Sequence, residues 1–183
     1  MNYRCFIALE APSAVQSCLA ERLRLLRSQP GVKWVEERNL HLTLLFLGDV
    51  DSVRVPEIES CIESCTADCR PFQLALRGLE IFPSRSPRLV WASLAQQDAQ
   101  LFALHKELLG ALRREGFTPD AKPLKLHITL GRIKHALPVS LEREILASAL
   151  DTSVQAYDTL TLYRSVLKPE GPVYHVLKQY KLT

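Results

Sequence analysis

Two short stretches of the chain carry the same polar pair inside an apolar run: HLTLLFLG from His41 and HITLGRIK from His127. In each, a histidine is followed by an apolar residue, a threonine and a leucine. Side chains alternate between the faces of a β-strand, so His41 shares a face with Thr43, and His127 with Thr129. The opposite face of the first strand is expected to carry Leu40, Leu42, Leu44 and Phe46, and that of the second Leu126, Ile128 and Leu130. An imidazole and a hydroxyl about 7 Å apart along one face can both reach a small anion lying over the strand.

Coincidence is a poor account of the pair. With eight threonines in 183 residues, a threonine two places after a given histidine has a chance of about 4%. Two such pairs among five histidines are the self-similarity of a repeat.

Two histidines facing one cleft suit a specific chemistry. Imidazole titrates near neutrality, so one ring can act as base while the other acts as acid. Opening a phosphodiester with water needs both, a base for the water and an acid for the leaving oxygen. Threonine hydroxyls can donate to the equatorial phosphate oxygens as charge builds there. That scheme needs no metal or cofactor. No H-E-x-x-H, no carboxylate adjoining either motif and no glycine-rich phosphate loop points to another one. The other histidines read as structural or exposed: His105 beside a helix stripe, His135 in a loop, His175 on the last strand.

The elements that must position these residues follow from periodicity. Residues 3–9 read as a strand, and Val15, Leu19, Leu23 and Leu26 repeat at helical spacing until Pro30-Gly31 stops them. The first motif strand covers about 40–47 and a helix 52–66, with Val55, Ile58, Ile62 and Cys65 on one face. Strands are expected at 71–79 and 88–95 around the loop FPSRSPR. A third helix spans about 98–115 on Leu101, Leu104, Leu108 and Leu112, and Gly116 ends it. The second motif strand is expected at about 124–132, a short helix near 141–149, and two last strands at 154–164 and 172–181. No low-complexity linker divides the chain. Strands and helices mixed through short connections predict an antiparallel α+β domain over residues 1–183.

Composition narrows the class. The chain is 47% apolar and 23% charged, ordinary for a globular protein. No apolar run approaches the roughly 18 residues needed to span a bilayer. The start MNYRCFIALEAP lacks the form of a secretory signal. The expectation is a cytoplasmic protein without membrane contact. Cys61, Cys65 and Cys69 lie four apart along one side of a helix, with no C-x-x-C, and read as semi-buried thiols. A net charge of +3 is too small to announce nucleic-acid binding. Arg113, Arg114, Lys122, Lys125, Arg132 and Lys134 nevertheless gather around the second motif, as a solvated face or as a field for a phosphate-bearing ligand. Phe46, Trp34 and Tyr163 could stack on a base, though packing alone would also explain each.

The two motifs in this order resemble those of the 2H phosphoesterase superfamily, and within it the RNA 2′,3′-cyclic phosphodiesterases also called 2′-5′ RNA ligases. The resemblance runs along nearly the whole chain, through RCFIAL, VKWVEERNLHLTLLFLGDV, SPRLVWASL, KLHITLGRI and LYRSVLKPEGPVYHVL. It implies a bilobal, pseudo-twofold fold with two antiparallel sheets lining a central cleft and helices outside. It also implies hydrolysis of RNA 2′,3′-cyclic phosphate ends, or of nucleotides carrying them, to 2′-phosphomonoesters, with no obligate protein partner. By the same resemblance His41 is the acid to the leaving 3′ oxygen and His127 the base on water. Thr43 and Thr129 then bind phosphate, as does Arg132, although strand parity puts Arg132 on the face opposite His127. Where the family has a proline before the second histidine, this chain has Leu126. Reversible 2′-5′ ligation and non-catalytic binding of RNA ends are the alternatives for the same cleft.

Overall fold

The computed structural model describes all residues except Ser84, Pro87, Gln97, Asp98 and Glu170. Among the described residues the strands are β1 (Asn2–Glu10), β2 (Val32–Trp34), β3 (His41–Asp51), β4 (Phe72–Phe82), β5 (Leu89–Gln96), β6 (His127–Ile133), β7 (Val154–Tyr157), β8 (Thr159–Lys168) and β9 (Gly171–Lys181). The helices that join them are α1 (Ser13–Leu26), α2 (Val55–Thr66), α3 (Gln100–Arg114) and α4 (Val139–Leu146).

The helices form where apolar residues recur every three or four positions, and each buries that stripe. Val15, Leu19, Leu23 and Leu26 of α1 are buried, as are Val55, Ile58, Ile62 and Cys65 of α2. The stripe of α3 is buried with His105 included, so that histidine belongs to the core. Gly116 then turns the chain away at φ +80°, a conformation that favours glycine. Asp98, the expected start of this helix, lies outside the described residues, as do Ser84 and Pro87 of the FPSRSPR loop. All five cysteines are free thiols. No helix among the described residues is long and apolar enough to cross a membrane.

The strands pair in the order β7-β4-β5-β6-β3-β1-β8-β9, with β2 added to β6. The order is close to a palindrome about the β6/β3 junction. Each half has a motif strand at the centre, two long strands beside it and a short or terminal strand at its edge. Every recorded pairing is antiparallel. The fold is α+β, as expected. The two half-sheets are continuous rather than separate, joined by one residue pair, Leu42 with Ile128. Both of those side chains are fully buried, and buried residues of both halves form one core.

Three departures from the sequence reading bear on the site. The expected strand 154–164 is two strands: β7 pairs with β4 and β8 with β1, so the chain crosses between the half-sheets at Asp158. The second motif strand starts at His127 rather than near 124, though the Leu126 carbonyl still accepts from Leu94 N–H at 2.9 Å. Finally, Phe46 is not on the core face. It is 52% exposed, while Leu45 and Leu47 are buried.

The cause of that last difference is a bulge. Ala8 pairs with Thr43 and Ile7 with Leu45, which leaves Leu44 as an extra residue. The same irregularity recurs in the other motif: Trp91 pairs with Thr129 and Val90 with Gly131, leaving Leu130 extra. The leucine shared by the two motifs is therefore the bulge residue in each. Two successive residues point coreward, the alternation reverses, and the next residue but one returns to the cleft face. In β3 that residue is Phe46, and in β6 it is Arg132.

Candidate active site

The single pair Leu42–Ile128 sets the centre of the site. Residues directly opposite in a sheet share a face, and their chain neighbours take the other. With Leu42 and Ile128 buried beneath, His41, Thr43, His127 and Thr129 all stand on the exposed face where the two motif strands meet. The antiparallel register sets His41 toward Thr129 and Thr43 toward His127, so each strand offers its histidine to the other strand's threonine. His41, Thr43, Thr129 and Arg132 line one cleft together with Trp34, Phe46 and Tyr174. His127 stands at its edge, near enough that its charge acts on His41.

Both imidazoles are held the same way. His41 Nδ1 lies 2.8 Å from the Asn39 carbonyl oxygen, and His127 Nδ1 lies 2.8 Å from that of Lys125. A carbonyl only accepts, so Nδ1 carries the proton in both rings. Nε2 of each neutral ring is then left with its lone pair for the cleft. In the first motif that lone pair already accepts from the Thr43 hydroxyl at 3.0 Å. The partner carbonyl lies two residues before the histidine in both cases, where the chain enters the strand. In the first half this entry is a short 3-10 turn, Glu37–Asn39. The turn is tied down by buried Asn39, whose Nδ2 donates to the Pro172 carbonyl at 3.2 Å.

Around these common parts the two halves differ. His41 packs among aromatic rings, with centroids 5.0 Å from Phe6, 5.4 Å from Tyr174 and 5.9 Å from Tyr163. Burial pushes its pKa down to about 4, and the neighbouring His127 charge pushes the same way, against the favourable Asn39 hydrogen bond. His127 rests on Trp91 at 4.3 Å. Trp91 in turn stacks on Phe82 at 4.1 Å and donates from Nε1 to Glu80 at 3.1 Å. Burial lowers the His127 pKa too, and the Lys125 ammonium adds to that. Burial thus favours the neutral form of both rings.

Arg132 joins the cleft because of the bulge at Leu130, which corrects the parity expected from sequence. Gly131 is the accompanying requirement. A Cβ there would meet Val32 Cγ1 at 2.5 Å and Trp34 Cε3 at 2.9 Å, so only glycine lets β2 lie against β6 and carry Trp34 into the cleft wall. Of the basic cluster expected near the second motif, Arg132 lines the cleft and Lys125 abuts His127. Lys122 is paired with Asp120 at 2.8 Å, and Arg113 and Arg114 end an outer helix. His135 and His175 are exposed. Among the described residues no group of three or more His, Cys, Asp or Glu side chains is arranged to hold a metal ion.

Sequence reasoning passed over Tyr174, Phe6 and Trp91 as neighbours of the two histidines. Trp91 had a signal, a tryptophan beside small residues in VWASL. Tyr174 had none, since it arrives from the other end of the chain. The anchoring carbonyls of Asn39 and Lys125 are backbone atoms and leave no residue signature.

Comparison with known proteins agrees with this architecture. The profile of the 2′-5′ RNA ligase superfamily matches residues 11–167. A protein of Archaeoglobus fulgidus named RNA 2′,3′-cyclic phosphodiesterase is 31% identical, over 97% of this chain and 99% of its own. The Thermotoga maritima protein of the same name is 34% identical, over 95% of this chain and 92% of its own. Among solved structures, TT0787 of Thermus thermophilus superposes with a TM-score of 0.84 at 31% identity, covering 98% of this chain and 97% of that one. Escherichia coli LigT complexed with 3′-AMP shares the fold at a TM-score of 0.78 and 24% identity, over 100% of this chain and 99% of that one. The chain belongs to the 2′-5′ RNA ligase superfamily, the two-histidine phosphoesterases that its paired motifs resemble.

Proposed function

We propose that this protein hydrolyses the 2′,3′-cyclic phosphate at RNA 3′ ends to a 2′-phosphomonoester, using its own side chains for acid, base and phosphate binding. Residues 1–183 act in this reading as one unit of two pseudo-symmetric lobes. The observation that carries it is the matched pair of imidazoles, each with Nδ1–H committed to a carbonyl two residues back and Nε2 left for the cleft. Binding an anion would not require two such matched rings. The names of the relatives, RNA 2′,3′-cyclic phosphodiesterase, support the same substrate class.

The asymmetry of the cleft supports one orientation of the reaction. Its open space adjoins His41, Phe46, Trp34 and Tyr174, while His127 is not among the residues that line it. A ribose and base need that space, so the sugar lies on the His41 side and water enters on the His127 side. His127 Nε2 takes a proton from water as its oxygen attacks phosphorus opposite the 3′ oxygen. The bond from phosphorus to the 3′ oxygen breaks, and His41 Nε2–H delivers a proton to that oxygen. Thr43 and Thr129 donate to the equatorial oxygens, and Arg132 neutralises their charge. Burial lowers the His41 pKa to about 4, and the anionic phosphate of the substrate opposes that shift by favouring the charged imidazole.

A leaving group that departs unprotonated separates the two roles. With a p-nitrophenyl phosphodiester, His41→Ala should lose far less activity than with the cyclic phosphate. His127→Ala should lose about a hundredfold or more with both, the usual scale for a general base. Equal rescue of the two variants, or rescue of His127→Ala alone, would overturn the assignment.

A further inference from the structure

The cleft continues beyond the phosphate position. One wall is the segment from Lys33 to Asn39, and the other runs through Lys168 and Gly171 to Tyr174. Lys33 Nζ donates to the Pro169 carbonyl at 3.2 Å, which ties the walls together at the far end. Lys33, Arg38, Arg132 and Lys168 face this space, against Glu36 as the one carboxylate among the described lining residues. Glu36 is already 3.7 Å from Arg38, and both side chains are exposed. Tyr174 shares this lining, and Trp34 adds to the wall while packed against the core. A groove lined mainly by cations, with an aromatic ring beside them, suits single-stranded nucleic acid, which offers phosphates to the one and base faces to the other.

The geometry points to a track for the RNA strand on the 5′ side of the cyclic phosphate, with Lys33 and Lys168 holding phosphodiesters upstream of the reacting one. This rests on the function proposed above. The phosphate lies over the two motifs and the ribose lies on the His41 side. The chain leaves that ribose through its 5′ oxygen, away from His127, and the groove begins there. The preferred substrate is then an oligonucleotide end rather than a 2′,3′-cyclic mononucleotide.

The test compares a 2′,3′-cyclic mononucleotide with a trinucleotide ending in the same group, for the natural protein and for the double variant Lys33→Gln/Lys168→Gln, across a salt series. The trinucleotide should have the higher kcat/KM. Its plot of log kcat/KM against log salt should be steeper by about 0.7 for each additional phosphate engaged, the usual value for single strands. The double variant should lose most of that preference and that extra slope, through KM, while hydrolysing the mononucleotide within about twofold of the natural protein. That last rate also shows the variant to be folded. Equal kcat/KM for the two substrates, or a preference that survives in the double variant, would overturn the track. Failure of both substrates with the natural protein would instead overturn the proposed function.

Discussion

At the scale of single residues the site depends on where protons and hydroxyls stand. Burial leaves His41 with a pKa of about 4 and lowers that of His127, so the free cleft lacks an acid near pH 7. A group whose pKa is lowered gains its proton only as pH falls. The kcat/KM for a cyclic phosphate, which reports the free enzyme, should therefore decrease as pH rises through neutrality. Once bound, the phosphate anion raises the imidazole pKa, so the alkaline fall in kcat should come at higher pH than the fall in kcat/KM. A kcat/KM that climbs through the same range would show the acid already charged in the free protein. The threonines make a second prediction. Thr43 donates to His41 and should turn to the phosphate as charge gathers on its oxygens. Thr43→Val and Thr129→Val should each lower kcat more than they raise KM, by about 1.5–3 kcal/mol in kcat/KM. Unchanged kinetics in both would leave these threonines as residues that merely suit a strand.

At the scale of elements, the helices and most strands were legible because the periods of helix and strand are written in apolar side chains. The bulges were not. Nothing in HLTLLFLG shows that Leu44 and Leu45 both point coreward, since a bulge is set by pairing with β1, far along the chain. Phe46 was therefore assigned to the wrong face, and Arg132 reached the cleft only through the matching bulge in β6. The division of 154–164 into β7 and β8 was hidden for a related reason, as its two parts pair with strands of different half-sheets. The common face of the four motif residues was legible, because it needs only the alternation of one strand. Gly131 tests the element account. Gly131→Ala places a methyl against Val32 and Trp34 and should cost about 1–3 kcal/mol of stability as β2 shifts. At about 2–4 °C per kcal/mol for a chain of this size, thermal unfolding should detect the loss. Activity should drop as well, because Trp34 leaves the cleft wall. A melting temperature and kcat/KM equal to those of the natural protein would mean that the β2 contact is not tight.

At the scale of the whole molecule, the repeated motif and the near-palindromic strand order fit the proposed function, since a site for a nearly symmetric group can be built from equal halves. Each half supplies one imidazole and one hydroxyl. The bulges then place unlike residues, Phe46 and Arg132, at equivalent positions. Catalysis needs that difference, since water must arrive on one side of phosphorus and the sugar depart on the other. The central claim is that two histidines suffice as acid and base. Its most direct test is an RNA oligonucleotide with a 2′,3′-cyclic phosphate end, incubated with protein dialysed against EDTA and followed by phosphorus NMR. The account predicts a 2′-phosphomonoester at an undiminished rate, and at least about a hundredfold less of it with folded His41→Ala or His127→Ala. Loss of activity on chelation with recovery on added zinc or manganese would contradict it, as would a 3′-phosphate product or near-normal turnover in either variant.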